Sequence, residues 1–136
     1  KVSQGSILRA INFNTVGLRI KSNGGQSESD KAKKVSILKT CFTIAENKIN
    51  KGGETTIYLK LSDANGNILS PKLEDGIFTT KNGQEAYSAK RTINYENVDI
   101  DLCVFYENTE AFKAGVYTLE IFTSDGFIGK TDYKLK

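Results

Sequence analysis

The sequence predicts an all-β protein, an antiparallel immunoglobulin-like β-sandwich of about seven to nine strands. Apolar residues recur at every second position over most of the 136-residue chain, as expected of strands with one buried face. Short polar stretches rich in glycine and asparagine separate these segments, as turns do. No segment has the sustained apolar period of 3.6 residues that is typical of a helix.

The first part of the chain contains two predicted strands and a polar segment. Residues 7–13 alternate in a way that suits a strand buried on both sides, and residues 15–21 have the pattern of a half-buried strand. Residues 22–34 have no apolar pattern and include two adjacent glycines, which predicts a flexible loop. Because the strands before this loop suit the same sandwich, we expect one domain over residues 1–136.

The middle of the chain has the pattern of strands joined by tight turns. Strands are predicted over residues 35–45 and 55–61. An Asn-Gly pair at residues 65–66 follows the second of them, and another pair at 82–83 precedes a strand over residues 86–95. Asn-Gly favours hairpins because both residues adopt positive φ angles at low cost.

The last part of the chain contains the clearest strand, residues 98–106, in which every second side chain is apolar and faces inward. Residues 108–115 predict a short crossing with room for one helical turn. A strand over residues 116–123 and a tight turn at 125–126 lead to the final strand. The inward side chains of the last two strands are Tyr117, Leu119, Ile121, Thr131, Tyr133 and Leu135.

Composition excludes several classes of protein. The chain has no histidine and two cysteines, so it cannot build a Ser-His-Asp or Cys-His nucleophile, a His-ligated or four-thiolate zinc site, or an ordinary iron–sulfur site. Its net charge of +3 is small and scattered, unlike a nucleic-acid footprint. No run reaches the roughly 18 apolar residues of a membrane span. We therefore predict a non-enzymatic protein without cofactor or metal.

Two acidic patterns imitate functional motifs. Asp99 and Asp101 point the same way, roughly 7 Å apart along a strand, but glycoside hydrolysis by paired carboxylates also needs a cleft and sugar-stacking aromatics. Residues 63–67 begin like a calcium loop, yet the sixth position is Ile68, where the sharp turn requires glycine. These patterns favour solvent-face aspartates and a plain hairpin turn.

The two cysteines, Cys41 and Cys103, lie 62 positions apart, a separation similar to that of the disulfide-bonded pair in immunoglobulin domains. Strand parity places both outward, because Phe42 and Leu102 belong to the inward rows of their strands. A bond through the core needs both sulfurs inward, whereas a bond between paired strands on the outer face of one sheet remains compatible with this parity. Both that disulfide and two reduced thiols stay open.

One segment, residues 87–106, interleaves basic and aromatic residues, and tyrosine and arginine are enriched at the centres of protein interfaces. The candidate interaction surface consists of Tyr58, Lys90, Arg91, Tyr95 and Phe105. The alternative is a carbohydrate- or peptidoglycan-binding sandwich, in which a planar aromatic row contacts the sugar. The candidates for that row are Tyr58, Tyr95 and Phe105.

Several stretches of the chain carry a family resemblance. They are 5–12 (GSILRAIN), 38–47 (LKTCFTIAEN), 56–60 (TIYLK), 87–91 (YSAKR), 98–103 (VDIDLC) and 115–122 (GVYTLEIF). In these the sequence resembles the C-terminal domain of a family of uncharacterised bacterial envelope proteins. In such proteins a short cytoplasmic start precedes one transmembrane helix, a long coiled coil and a terminal β domain.

The resemblance implies a periplasmic or otherwise extracytoplasmic domain, tethered to a membrane by a stalk. It supplies no catalytic or ligand residues. Together with the β pattern and the missing catalytic chemistry, it leads us to expect a binding or structural module that contacts a protein in the cell envelope, and the stalk would allow an oligomer. The chain contains no methionine, so we expect a fragment of a longer protein. An oxidising compartment also favours a bond between the cysteines.

Overall fold

The computed structural model describes residues 7–69, 76–80, 83–108 and 112–136. These ranges contain ten strands and no helix, and every strand pairing in them is antiparallel. The all-β, antiparallel class is confirmed. The strands are β1 (Ala10–Ile20), β2 (Gln26–Glu28), β3 (Ile37–Ile44), β4 (Gly53–Ser62), β5 (Ile77–Thr80), β6 (Gly83–Ala86), β7 (Ala89–Tyr95), β8 (Ile100–Glu107), β9 (Gly115–Thr123) and β10 (Gly126–Leu135).

The strands form two four-stranded sheets and a separate hairpin. The first sheet has the order β2-β1-β3-β8, the second has the order β10-β9-β4-β7, and β5 pairs with β6 alone. Both four-stranded sheets contribute side chains to one hydrophobic core. The fully buried members of that core include Leu38 and Ile44 of the first sheet and Leu59, Leu61, Leu119 and Ile121 of the second.

Period-two alternation explains the central strands of the second sheet. Ile57, Leu59 and Leu61 of β4 are buried, while Tyr58 and Lys60 between them lie on the opposite face. Because successive side chains of a strand point to opposite sides, this sequence can bury only one face in the shared core. The inward rows predicted from β4, β8 and β9 are confirmed over the residues that these strands contain. Val98, which was also predicted to face inward, precedes β8 and is 51% exposed.

The strand count and two boundaries differ from the prediction. Ten strands exceed the expected range of about seven to nine, because β2, β5 and β6 have only 3, 4 and 4 residues. The two strands predicted over 7–13 and 15–21 are one strand, β1, with a register shift between Ile11 and Asn14. Asn12 has a φ of 58°, a conformation in which asparagine is enriched among non-glycine residues.

Part of the predicted loop over residues 22–34 is a strand, because β2 pairs with the end of β1. The segment that follows is tied to the C-terminus, where the Ala32 N–H donates to the Lys136 carbonyl at 2.8 Å. The same segment also passes close to Gly17 of β1. Only glycine fits there, since a Cβ on Gly17 would lie 2.4 Å from the Ser29 carbonyl oxygen. Residues 109–111 of the predicted crossing, and Asn82 of the predicted second Asn-Gly turn, lie outside the described residues.

A second, smaller cluster lies on the outer face of the second sheet, where the β5–β6 hairpin packs. The Phe78 ring stacks on Tyr58 with 3.9 Å between ring centroids, and Tyr87 and Phe122 complete the cluster. The Lys60 ammonium contacts Glu85 of the hairpin at 2.7 Å. The hairpin therefore covers the part of this face that lies around Tyr58.

Three tyrosines of the main core, Tyr95, Tyr106 and Tyr117, are almost fully buried. Tyr95 donates from its hydroxyl to the Ala45 carbonyl at 2.7 Å, and Tyr117 donates to the Lys113 carbonyl at 2.7 Å. Burial raises the pKa of Tyr95, Tyr106 and Tyr117 above the usual value of 10.0, because desolvation disfavours the phenolate.

We expect these three tyrosines to make the protein lose stability in alkali. A phenol whose pKa is raised by folding contributes stability that is fully present below the pKa of the unfolded chain and is lost as the pH rises through the folded pKa. Urea unfolding from pH 8 to about pH 11 should show this fall. A Tyr95→Phe/Tyr106→Phe/Tyr117→Phe variant should lose less free energy of unfolding over that interval, and an equal loss would contradict the assignment.

Candidate functional site

The residues predicted as an interaction surface do not lie together. Tyr58 of β4 and Lys90 of β7 are direct partners across the strands, on the outer face of the second sheet. The Lys90 ammonium also lies 5.7 Å from the ring centroid of Tyr87. These two members of the set are therefore neighbours.

The other three members lie elsewhere, because the alternation of β7 and the division into two sheets separate them. Arg91 sits at the edge of the second sheet, where Nη1 donates to the Cys103 carbonyl of β8 at 2.9 Å. Tyr95 is 1% exposed in the core, so it presents no ring to a partner. Phe105 is 52% exposed on the other sheet, opposite Lys39. The aromatic row of Tyr58, Tyr95 and Phe105 is consequently not formed.

The two cysteines are joined by a disulfide, one of the alternatives that the sequence leaves open. Cys41 of β3 and Cys103 of β8 are direct register partners, with 4.0 Å between their Cα atoms. Their neighbours Phe42 and Leu102 are buried in the core, so the bond lies on the outer face of the first sheet. This is the location that strand parity permits.

The aspartates that imitate functional motifs accept hydrogen bonds from nearby backbone and side-chain groups. Asp101 accepts a hydrogen bond from the Thr43 hydroxyl at 2.5 Å, and Asp99 accepts one from the Glu46 N–H at 2.6 Å. In the 63–67 turn, the Asp63 carboxylate accepts backbone N–H groups, and these hydrogen bonds lower its pKa. The described part of the chain contains no group of three or more acidic, cysteine or histidine side chains that could hold a metal ion.

One concave feature of the described residues is a groove of about 600 Å³ beside the first half of β4. We call it the β4 groove. Three segments line it: the region around the start of β4, the turn between β9 and β10, and one residue from the start of the chain. The lining residues are Leu8, Ile49, Asn50, Lys51, Gly52, Glu54, Thr55, Thr56, Tyr58, Thr123, Ser124 and Asp125.

Asparagine side chains brace the loop that forms one side of the β4 groove. Asn97 donates from Nδ2 to the carbonyls of Asn47 at 2.8 Å and Asn50 at 2.6 Å. The Asn47 side chain in turn accepts the N–H groups of Ile49 and Asn50. Gly52, with a φ of 72°, allows the loop to pass Asn97, since a Cβ there would lie 2.6 Å from Oδ1. The loop is therefore held in place before any ligand arrives.

Among the strands that the structure describes, the pairing register leaves one edge of β4 open to this groove. β4 pairs with β7 over Gly53–Leu59, but it pairs with β9 only over Tyr58–Ser62. β9 turns away into β10 at Thr123–Gly126. The stretch Gly53–Ile57 consequently has a strand on one side and the groove on the other.

Alternation identifies which backbone groups face the groove. The Leu59 carbonyl accepts the N–H of Ser88, just before β7, so the backbone of Leu59 points toward β7. In an antiparallel strand the N–H and C=O groups of one residue point to one side and those of the next residue to the other. The backbone groups of Thr55 and Ile57 therefore face β7, and those of Glu54 and Thr56 face the groove. Within the described ranges, the two N–H and two C=O groups of Glu54 and Thr56 have no strand partner.

The sequence reasoning identified Tyr58 but missed the groove itself. The signal that could have indicated the groove is the length of the β4 pattern, which extends beyond the point where β9 ends in its turn. Those lengths alone do not reveal the groove, because it depends on which residues of β4 and β9 are paired. That register joins Tyr58 to Phe122, and it is fixed by packing between distant parts of the chain.

The fold and the groove together describe an all-β domain with a recessed, open strand edge. Residues 11–136 match the family described as a domain of unknown function, DUF8428, and the chain belongs to this family. The match covers nearly all of β1 and every later strand. No curated protein matches the chain. None of its described residues forms a helix long and apolar enough to cross a membrane.

Proposed function

We propose that this chain is a non-enzymatic binding module with an immunoglobulin-like sandwich fold, which contacts a protein partner through the β4 groove. The observation that carries the proposal is the open edge of β4 at Glu54 and Thr56, which faces a preformed groove. Unpaired main-chain groups in a sheet recruit another chain. The two antiparallel sheets around one core support the sandwich.

In this proposal the module acts outside the cytoplasm, on a membrane-anchored coiled-coil stalk. The Cys41–Cys103 disulfide supports that location, because disulfides persist mainly in oxidising compartments. The anchor and stalk rest on the resemblance to bacterial envelope proteins. An oligomer formed through the stalk would present several grooves at once, which raises avidity without new contacts.

A glycan ligand has less support than a protein partner. Sugar-binding sites of the predicted kind use a flat aromatic surface, and Tyr58, Tyr95 and Phe105 lie on the second sheet, in the core and on the first sheet. Tyr58 is also stacked on Phe78, which covers one face of its ring. The β4 groove offers backbone donors and acceptors instead, and these suit a polypeptide.

Photocrosslinking in cells tests the proposed partner surface. With p-benzoylphenylalanine at Glu54 of the full-length protein, we expect a discrete protein adduct after irradiation. Asp132 of β10 is the matched control, since it is an exposed carboxylate whose register partner Thr118 lies beside the opposite end of β4. An adduct at Glu54 alone supports the proposal. No adduct at Glu54, or equal adducts at both positions, would exclude the groove as the contact surface.

A further inference from the structure

The β4 groove presents a main-chain pattern that only another extended chain matches fully. Glu54 and Thr56 each offer one N–H and one C=O group in the same direction, two residues apart. An antiparallel strand pairs with such groups in closely spaced couples. A flat ligand or a lone ion would satisfy some of these four groups, whereas a strand satisfies all of them.

The open edge sets the length of the occupant. It runs from Gly53 to Ile57, and five residues at about 3.4 Å each span roughly 17 Å. The turn at Ser124 and Asp125 lies where β9 would otherwise continue along β4, so it closes one end of the space. A segment of four or five residues fits in line with β9.

The recessed position of the edge favours a single flexible segment over a second copy of this sheet. One added strand needs a width of about 4.8 Å, but a folded sheet would also have to pass the loop at residues 49–52 and the turn at 123–125, which line the groove. Asn97 holds that loop in place. An extended segment of a partner protein meets neither obstacle.

Side chains along the groove indicate what the segment should contain. Leu8, which is buried in the core, lines the groove on the inner side, and Glu54 and Thr56 belong to the outer row of β4. Because side chains of an added strand alternate between these two sides, one row meets apolar surface and the other meets hydroxyl and carboxylate groups. The exposed Glu54 carboxylate complements a lysine or arginine in the outer row.

We propose that the β4 groove binds an extended segment of a partner protein by strand addition to Gly53–Ile57. The segment has alternating apolar and polar residues, with a basic residue beside Glu54. Main-chain hydrogen bonds supply affinity in this mode, and the alternate side chains supply specificity. The inference rests on the proposed function and specifies how that contact is made.

Amide hydrogen exchange of the free protein tests the open edge without any ligand. The amides of Glu54 and Thr56 should exchange at least about tenfold faster than those of Thr55 and Ile57, because only the latter pair face β7. If Glu54 and Thr56 are as protected as their neighbours, another segment already covers the edge. Strand addition by a partner would then be overturned.

A substitution pair tests the binding itself. Thr56→Pro removes the N–H that faces the groove, and proline is tolerated where a strand N–H makes no ladder bond. Thr56→Val keeps that N–H and the side-chain shape while it removes the hydroxyl bond to Thr92. The probe is a phage-displayed library of random heptapeptides selected on the wild-type domain. We expect selected peptides to bind Thr56→Val within about threefold of wild type and Thr56→Pro at least about tenfold more weakly.

Each outcome of this selection decides the proposal. Peptides that discriminate against Thr56→Pro and protect the Glu54 and Thr56 amides support strand addition. No enriched peptide, or peptides that bind both variants equally, would overturn it. A Glu54 photoadduct combined with such a failure would retain the groove as a partner surface and discard only the strand geometry, whereas absence of the photoadduct would remove the proposed function itself.

Discussion

Replacing Cys41 and Cys103 together by serine is expected to lower the free energy of unfolding by about 4 kcal/mol. The two residues are separated by 62 positions, and a cross-link over such a loop restricts the unfolded chain strongly. Both cysteines belong to the first sheet, but the chain between them contains β4 and β7 of the second sheet. One bond on the outer face of a single sheet therefore limits the freedom of strands in both sheets.

Urea unfolding of the double variant, beside the oxidised wild type, measures this loss. The matched control is Lys39→Ser/Phe105→Ser, because Lys39 and Phe105 form the same-face register pair next to the disulfide. That control removes side-chain contacts from the same two strands without removing a covalent bond, and we expect it to cost about 1 kcal/mol. Equal losses in the two double variants would mean that the cross-link adds nothing beyond those contacts.

The disulfide is also connected to the candidate site through β7. Cys103 presents its carbonyl to Arg91, and Arg91 is the register partner of Ile57, at the end of the open β4 edge. A domain of this size has a total stability of roughly 5–15 kcal/mol, so a loss of about 4 kcal/mol would increase local opening substantially. Binding at the groove should weaken in the reduced protein through this loss of stability.

The parts of the fold that the sequence predicts are those set by local alternation. The inward residues of β4 and β9, for example Leu59 and Leu119, follow from period two alone, because each strand buries one face. The same parity argument placed Cys41 and Cys103 outward, where their bond now lies. Turns such as the one at residues 63–67 were predictable because Asn-Gly carries its own backbone preference.

The parts that the sequence does not predict depend on pairing between distant segments. Residues 26–28 form β2 only because the end of β1 is available beside them. Lys90 and Arg91 are adjacent on the edge strand β7, yet alternation turns Lys90 to the outer face and Arg91 toward β8 of the other sheet. The β4 groove exists because β9 reaches only as far as Tyr58, and no local pattern records that distance.

Leu119→Ala should lower the free energy of unfolding by about 3 kcal/mol, which lies within the usual range for leucine in a core. Leu119 is 0% exposed on β9, a central strand of the second sheet, and its register partners are Leu61 of β4 and Thr131 of β10. Strands on both sides hold its backbone in place, so the surroundings can collapse only partly around the deleted atoms. The cost therefore includes a cavity as well as lost burial.

Val116→Ala is the matched control for this substitution, because Val116 lies on the same strand but is 47% exposed. We expect the control to change stability by less than about 0.5 kcal/mol, with an unchanged dependence on urea in both variants. A cost below about 1 kcal/mol for Leu119→Ala would contradict tight packing between the two sheets. Since the side chain of Leu119 lies inside the shared core and the groove borders the opposite half of β4, this variant should retain peptide binding wherever it remains folded. If Leu119→Ala lowered peptide binding as well as stability, the groove would depend on core packing as well as on the β4 edge.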